Sequence, residues 1–166
     1  MMATDVRRMA VGLVLAIALG GTAVRAGAPA QAARPREVAF TLYFVAMSPG
    51  PAAHGETIGC GDVIVGHRRT AALSGSDLET AVRAQLTAAP PEGYTNRVAQ
   101  LGIVLRSVRI DGRQATVVLE PFSMGGMCDG PRVGEQLTRL VRQFDRFDRV
   151  AIMVGDRTLA RYLSLK

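Results

Sequence analysis

An α+β fold, with one mixed or antiparallel β-sheet and two helices packed on a single face of it, is predicted by three observations in the sequence. Asp111-Gly112 sits between two alternating, β-rich runs, a strong hairpin signal because glycine accepts the positive φ of a tight turn. Two segments, near 76–89 and 131–144, space their apolar residues as one helical stripe with a polar back. The remaining apolar runs are short and rich in β-formers, bounded by glycine and proline. Their order is β-β-α-β-β-α-β with a small tail. Helices with one apolar stripe each are placed most economically on one sheet.

The elements follow in chain order. Residues 37–47 are nearly continuous in apolar character, which suits a central strand buried on both faces or one face of a strongly apolar sheet. Ser48-Pro49-Gly50-Pro51 ends it. Residues 62–71 read as a second strand that begins apolar and becomes polar. Ser76-Asp77-Leu78-Glu79 fits a capping box, and Leu78, Ala81, Val82 and Leu86 recur at helical spacing until Pro90-Pro91 stops the helix. An irregular link over 92–101 carries Tyr94 and Asn96. The hairpin takes 103–110 and 114–119. A glycine-rich loop over 122–131 leads to Pro131, well placed at a helix start, and to the stripe Val133, Leu137, Leu140, Val141 and Phe144. Residues 149–154 are the last strand, and 158–165 form a short terminal element.

Residues 1–32 have the parts of a secretory signal. Arg7 and Arg8 precede an apolar run over 9–24, and Ala30-Gln31-Ala32 is an A-x-A cleavage site, with Val24-Arg25-Ala26 as the second choice. The run is shorter than the roughly 20 residues that span a bilayer. The expected mature chain is therefore 33–166, one domain, extracytoplasmic (periplasmic or secreted) after Sec-type export, with no stable membrane insertion once the leader is cleaved. An uncleaved N-terminal anchor is the lesser alternative. No cysteine near the cleavage region offers a lipid-anchor site. Losing the leader changes the balance from 20 basic and 14 acidic residues to 17 and 13, an ordinary charge for a small domain. The arginines alternate with acids, as in Arg142, Asp145, Arg146, Asp148 and Arg149, and aromatics are few. A solvated surface is expected, and no nucleic-acid stripe. The arginine, alanine and glycine usage fits a GC-rich bacterial genome.

Cys60, in Ile-Gly-Cys-Gly-Asp, and Cys128, in Gly-Gly-Met-Cys-Asp-Gly, are most simply one disulfide in an exported chain. Two other chemistries use the same residues. A metal site would draw on His54, Asp62, His67 or Asp129, but no C-x-x-C or H-x-x-x-H spacing accompanies them. A nucleophilic Cys60 with His67 as base is disfavoured, because residues seven apart on a strand-like run face opposite ways. Asp62 and Asp129 read either as a paired acid site or, more simply, as acceptors for free backbone N–H groups in a glycine turn and at a helix start. Gly125-Gly126 lacks the G-K-[ST] ending of a phosphate loop. No cofactor is expected.

Taken together, the strand Phe40-Thr41-Leu42-Tyr43-Phe44-Val45, the Gly59-Cys60-Gly61-Asp62 strand start, the hairpin over 105–112 and 115–119, the Gly125–Val133 helix start and the strand at 150–154 resemble the GerMN domain, named from bacterial sporulation and germination proteins. The resemblance covers about 38–159 and includes Tyr94 and Asn96 of a tyrosine-asparagine segment. It implies an extracytoplasmic, non-enzymatic module, a building block of envelope-spanning or ring-like assemblies. The expected function is an envelope binding or scaffold module whose partner is an unidentified envelope protein or a second copy. Asp62, Tyr94, Asn96 and Asp129 form the candidate interaction loop. The alternative is a small secreted hydrolase or metal-dependent enzyme using Cys, His and Asp near the two cysteine motifs.

Overall fold

The computed structural model describes residues 35–47 and 54–164. The expected leader, its expected cleavage positions and the Ser48-Pro49-Gly50-Pro51 break lie outside the described residues. The fold is α+β, as the sequence predicts, but its strands form two sheets rather than one.

The first sheet has the order β1-β3-β2, with β1 at Glu37–Ala46, β2 at Glu56–Thr57 and β3 at Val63–Ala72. β1 and β3 pair antiparallel over their whole length, from Glu37 opposite Ala72 to Ala46 opposite Val63. Alternation puts Phe40, Leu42 and Phe44 of β1 in the main core, while Val45 joins Ile58 and Ile64 in a small second cluster on the other side. β3 starts buried at Val63 and Ile64 and turns exposed at Arg68–Thr70, the expected change of character. Two-residue β2 escaped the sequence reading.

The second sheet has the order β4-β5-β6-β7, with β4 at Leu105–Asp111, β5 at Gln114–Leu119, β6 at Arg149–Val154 and β7 at Arg157–Thr158. Asp111 pairs with Gln114 across a turn whose Gly112 has φ +55°, so the hairpin signal was sound. β6 runs parallel to β5, which requires the long crossover that the second major helix supplies.

Helix α1 is Asp77–Thr87, and Ser76 Oγ accepts from Glu79 N at 3.1 Å. The Glu79 carboxylate accepts from Arg83 at 2.7 and 2.9 Å, and no bond from it to Ser76 N, the other half of a capping box, is present among the described residues. A single turn, α2, occupies Arg97–Gln100, and α4 occupies Leu159–Leu163. Helix α3 spans Asp129–Arg142, starting two residues before Pro131. α1 and α3 touch each other and both touch β1, while α1 also reaches β4 and α3 reaches β6. One core therefore takes in both helices and both sheets, with Leu78, Val82, Leu137 and Leu140 at 0–1 % exposure.

The single-sheet expectation fails at the second edge of β1. Continuing the sheet needs a strand there, and other groups have taken the backbone. Gln143 receives the Thr41 N–H and donates to the Thr41 carbonyl, at 2.6 and 3.0 Å. Gln85 does the same at Tyr43, at 2.8 and 2.9 Å, and Gln136 adds a second donor to that carbonyl at 2.6 Å. Val45 exchanges both backbone bonds with Thr95. Side-chain amides thus do what a neighbouring strand does elsewhere, and the sheet stops.

Candidate functional site

The two cysteine motifs meet at the start of α3. Gly59–Gly61 forms one 3₁₀ turn, closed by a 2.8 Å bond from Ile58 N to the Asp62 carbonyl. Within it Cys60 holds φ +67°, a left-handed conformation that costs a non-glycine residue energy and persists only where surroundings enforce it. Three contacts do so. Cys60 and Cys128 are disulfide-bonded, with Cα atoms 5.9 Å apart, as the sequence predicts. Gly59 lies against Pro131 so closely that a Cβ there would come within 2.8 Å of the ring. Asp62, 1 % exposed, accepts from Arg132 Nε at 2.6 Å.

Asp129, 2 % exposed, sits one residue after the second cysteine. Its carboxylate receives Arg97 Nε at 2.6 Å and Nη2 at 2.8 Å, then the N–H groups of Gly125 at 2.6 Å and Gly126 at 3.0 Å. The Arg97 guanidinium, helped by these two amides against the cost of burial, holds the Asp129 carboxyl below the usual carboxylate range. The N–H-acceptor reading of Asp129 is therefore met at the loop before α3. Asp62 and Asp129 each face an arginine, which leaves neither free to work as half of an acid pair.

Asn96, 1 % exposed, lies in a buried amide network. Its oxygen accepts from Gln85 at 3.1 Å, Gln136 at 3.2 Å and Ala99 N at 3.4 Å, and its amide donates to the carbonyls of Gln85 and Ala88. Gln136 Oε1 accepts from Arg97 N and Val98 N, tying α2 to α3. Of the four residues expected to form an interaction loop, Asp62, Asn96 and Asp129 are thus turned into the fold, where a partner cannot reach them. Only Tyr94 is partly exposed, and its ring stands edge-on to His67 at 5.7 Å.

His67 packs between Phe44 and Tyr94, and its buried Nε2 has no hydrogen-bond partner among the described residues. His54 is exposed. Both thiols are in the disulfide, so Cys60 is no nucleophile for His67 in this structure. Among the described residues no group of three or more His, Cys, Asp and Glu side chains is placed to hold a metal, and no helix is long and apolar enough to cross a membrane.

Sequence reasoning missed Gln85, Gln136, Gln143, Arg97 and Arg132. A signal existed for the first two: both fall on the apolar stripe of their helices, three residues after Val82 and Val133, where a polar side chain needs an internal partner. The arginines carried none.

No protein-family model and no curated protein matches the chain. Among solved structures, a candidate lipoprotein from Clostridium perfringens aligns with a TM-score of 0.38 and 13 % identity, over 73 % of this chain and 76 % of that one. At that score the similarity assigns neither fold nor function.

Proposed function

We propose that this protein is an exported, non-catalytic binding or scaffold module of the cell envelope, of GerMN type, delivered by a Sec-type leader and stapled by one disulfide. The observation that carries the reading is the use the chain makes of its reactive groups. The two thiols join each other, Asp62 goes to Arg132 and Asp129 to Arg97, so the thiols and carboxylates a hydrolase or metal site would draw on tie the turn at 59–62 and the α2 turn to the start of α3. The disulfide suits an oxidising compartment. Further arginines are paired with carboxylates, Arg113 with Asp148 and Arg139 with Glu56 among them, which favours a protein partner over a nucleic acid.

Cross-linking of a tagged protein in intact envelope tests this reading. The expected result is one specific adduct, with an envelope protein or a second copy, that is unchanged in a His54→Ala, His67→Ala double variant. A double variant that folds normally yet loses the protein's phenotype overturns it and favours the enzyme.

A further inference from the structure

A groove of about 650 Å³ runs between α3, α4 and the strand β6. Its apolar lining includes Val141, Phe144, Phe147, Leu159 and Leu163. Its floor is Val150–Ile152 of β6, where that strand is half finished. β7 pairs with β6 only at Met153 and Val154, so among the described residues no strand covers the same edge at 150–152.

The parallel register shows which groups that edge presents. Gly155 N donates to the Leu119 carbonyl, and Leu119 lies opposite Val154. Alternation then turns the backbone groups of Ala151 and Met153 toward β5, and those of Val150 and Ile152 away from it. No hydrogen bond to the N–H or C=O of Val150 or Ile152 arises from any helix, loop or side chain among the described residues. On β1 the equivalent free edge is closed by glutamine amides. On β6 it stays open beside an apolar groove.

We infer that this groove binds an extended peptide segment of another protein, added as a short strand to β6 with apolar side chains directed between α3 and α4. Two free N–H and C=O pairs at alternate residues match an extended backbone and no compact ligand. The charges narrow the class. Of the charged residues lining the groove, Glu135 is held by Arg139 and Asp148 by Arg113, whose charge also acts on Asp145, which leaves exposed Arg142 without an ion-pair partner among the described residues. The segment is therefore apolar, with one carboxylate for Arg142. This inference rests on the binding-module reading and names the site for it.

The test uses acetyl-Glu-Val-Thr-Val-Lys-amide and the same peptide with reversed sequence, since the strand can add in either direction, each also with its backbone nitrogens methylated. At least one unmethylated peptide should slow hydrogen exchange at the Val150 and Ile152 amides, and its methylated form should not. Val150→Pro removes one free donor that the fold does not use, at a kind of edge position where proline is tolerated. It should weaken binding about tenfold, the effect of one hydrogen bond, with little change in melting temperature. Arg142→Glu, on an exposed site, should weaken it as well. Unchanged exchange with both peptides, or equal binding by folded Val150→Pro, overturns the groove assignment. Envelope cross-linking by Val150→Pro separates the two readings: an adduct kept while peptide binding is absent refutes the groove alone, and an adduct lost supports it.

Discussion

A carboxylate removed from water stays charged only where donors replace its hydration, and Asp129 has four: two from Arg97 and the amides of Gly125 and Gly126. Its folded pKa is lowered, so the sign of its pH dependence follows. The stabilisation is fully present above the unfolded value, near 4 by ordinary aspartate chemistry, and is lost as pH falls through the lower folded value. Denaturation between about pH 2 and pH 6 should show this loss in the parent protein and a smaller one in Asp129→Asn. At neutral pH that variant should be less stable by about 1–3 kcal/mol, since its oxygen can keep the two glycine amides but its NH2 then faces the Arg97 Nε–H, and the charge that Arg97 pairs with is gone. The loop signals around Asp129 identified an N–H acceptor. Arg97 lies 32 residues away and Arg132 lies 70 from Asp62, beyond the reach of any local pattern.

Strands and helices were legible because hydrophobic periodicity and turn chemistry act over a few residues. Arg149–Val154, the Asp111-Gly112 turn and the Ser76 cap all lie where the sequence put them. How the strands divide between sheets was not legible, since it depends on what reaches the second edge of β1. Gln85 and Gln136 were visible only as interruptions of apolar stripes, and their contacts with Tyr43 span 42 and 93 residues. Gln136→Leu isolates the effect. It leaves the buried N–H of Val98 and the partly buried N–H of Arg97 without their acceptor, at about 1–3 kcal/mol for each such group. Urea denaturation should therefore show a larger loss than for Gln143→Leu, whose Thr41 partner is only partly buried. Leu137→Ala, at 1 % exposure in the stripe beside it, should cost about 2–5 kcal/mol by the same measurement.

At the scale of the molecule, Cys60 and Cys128 lie 68 residues apart in sequence, and their bond ties the turn before β3 to the start of α3. The chain-entropy argument assigns a loop of that length about 4 kcal/mol, acting through the unfolded chain. The pairing was legible from the cysteine count and the signal-like pattern of residues 1–32, while the contacts that share its load were not. Arg132 with Asp62 and Gly59 against Pro131 hold the same two segments without sulfur. A Cys60→Ser, Cys128→Ser variant should for that reason keep its fold while losing stability. The expected drop in melting temperature is roughly 10–20 °C, with faster proteolysis and a largely unchanged amide spectrum outside residues 58–62 and 123–132. If the junction depended on the disulfide alone, the same variant would instead lose the turn and the first turn of α3. Freed from its bond, residue 60 would then leave its left-handed conformation, and hydrogen exchange at Ile58 and Arg132 would rise to the rate of open chain. Exchange at these two amides decides whether sulfur or the salt bridge and proline packing set the geometry of the junction.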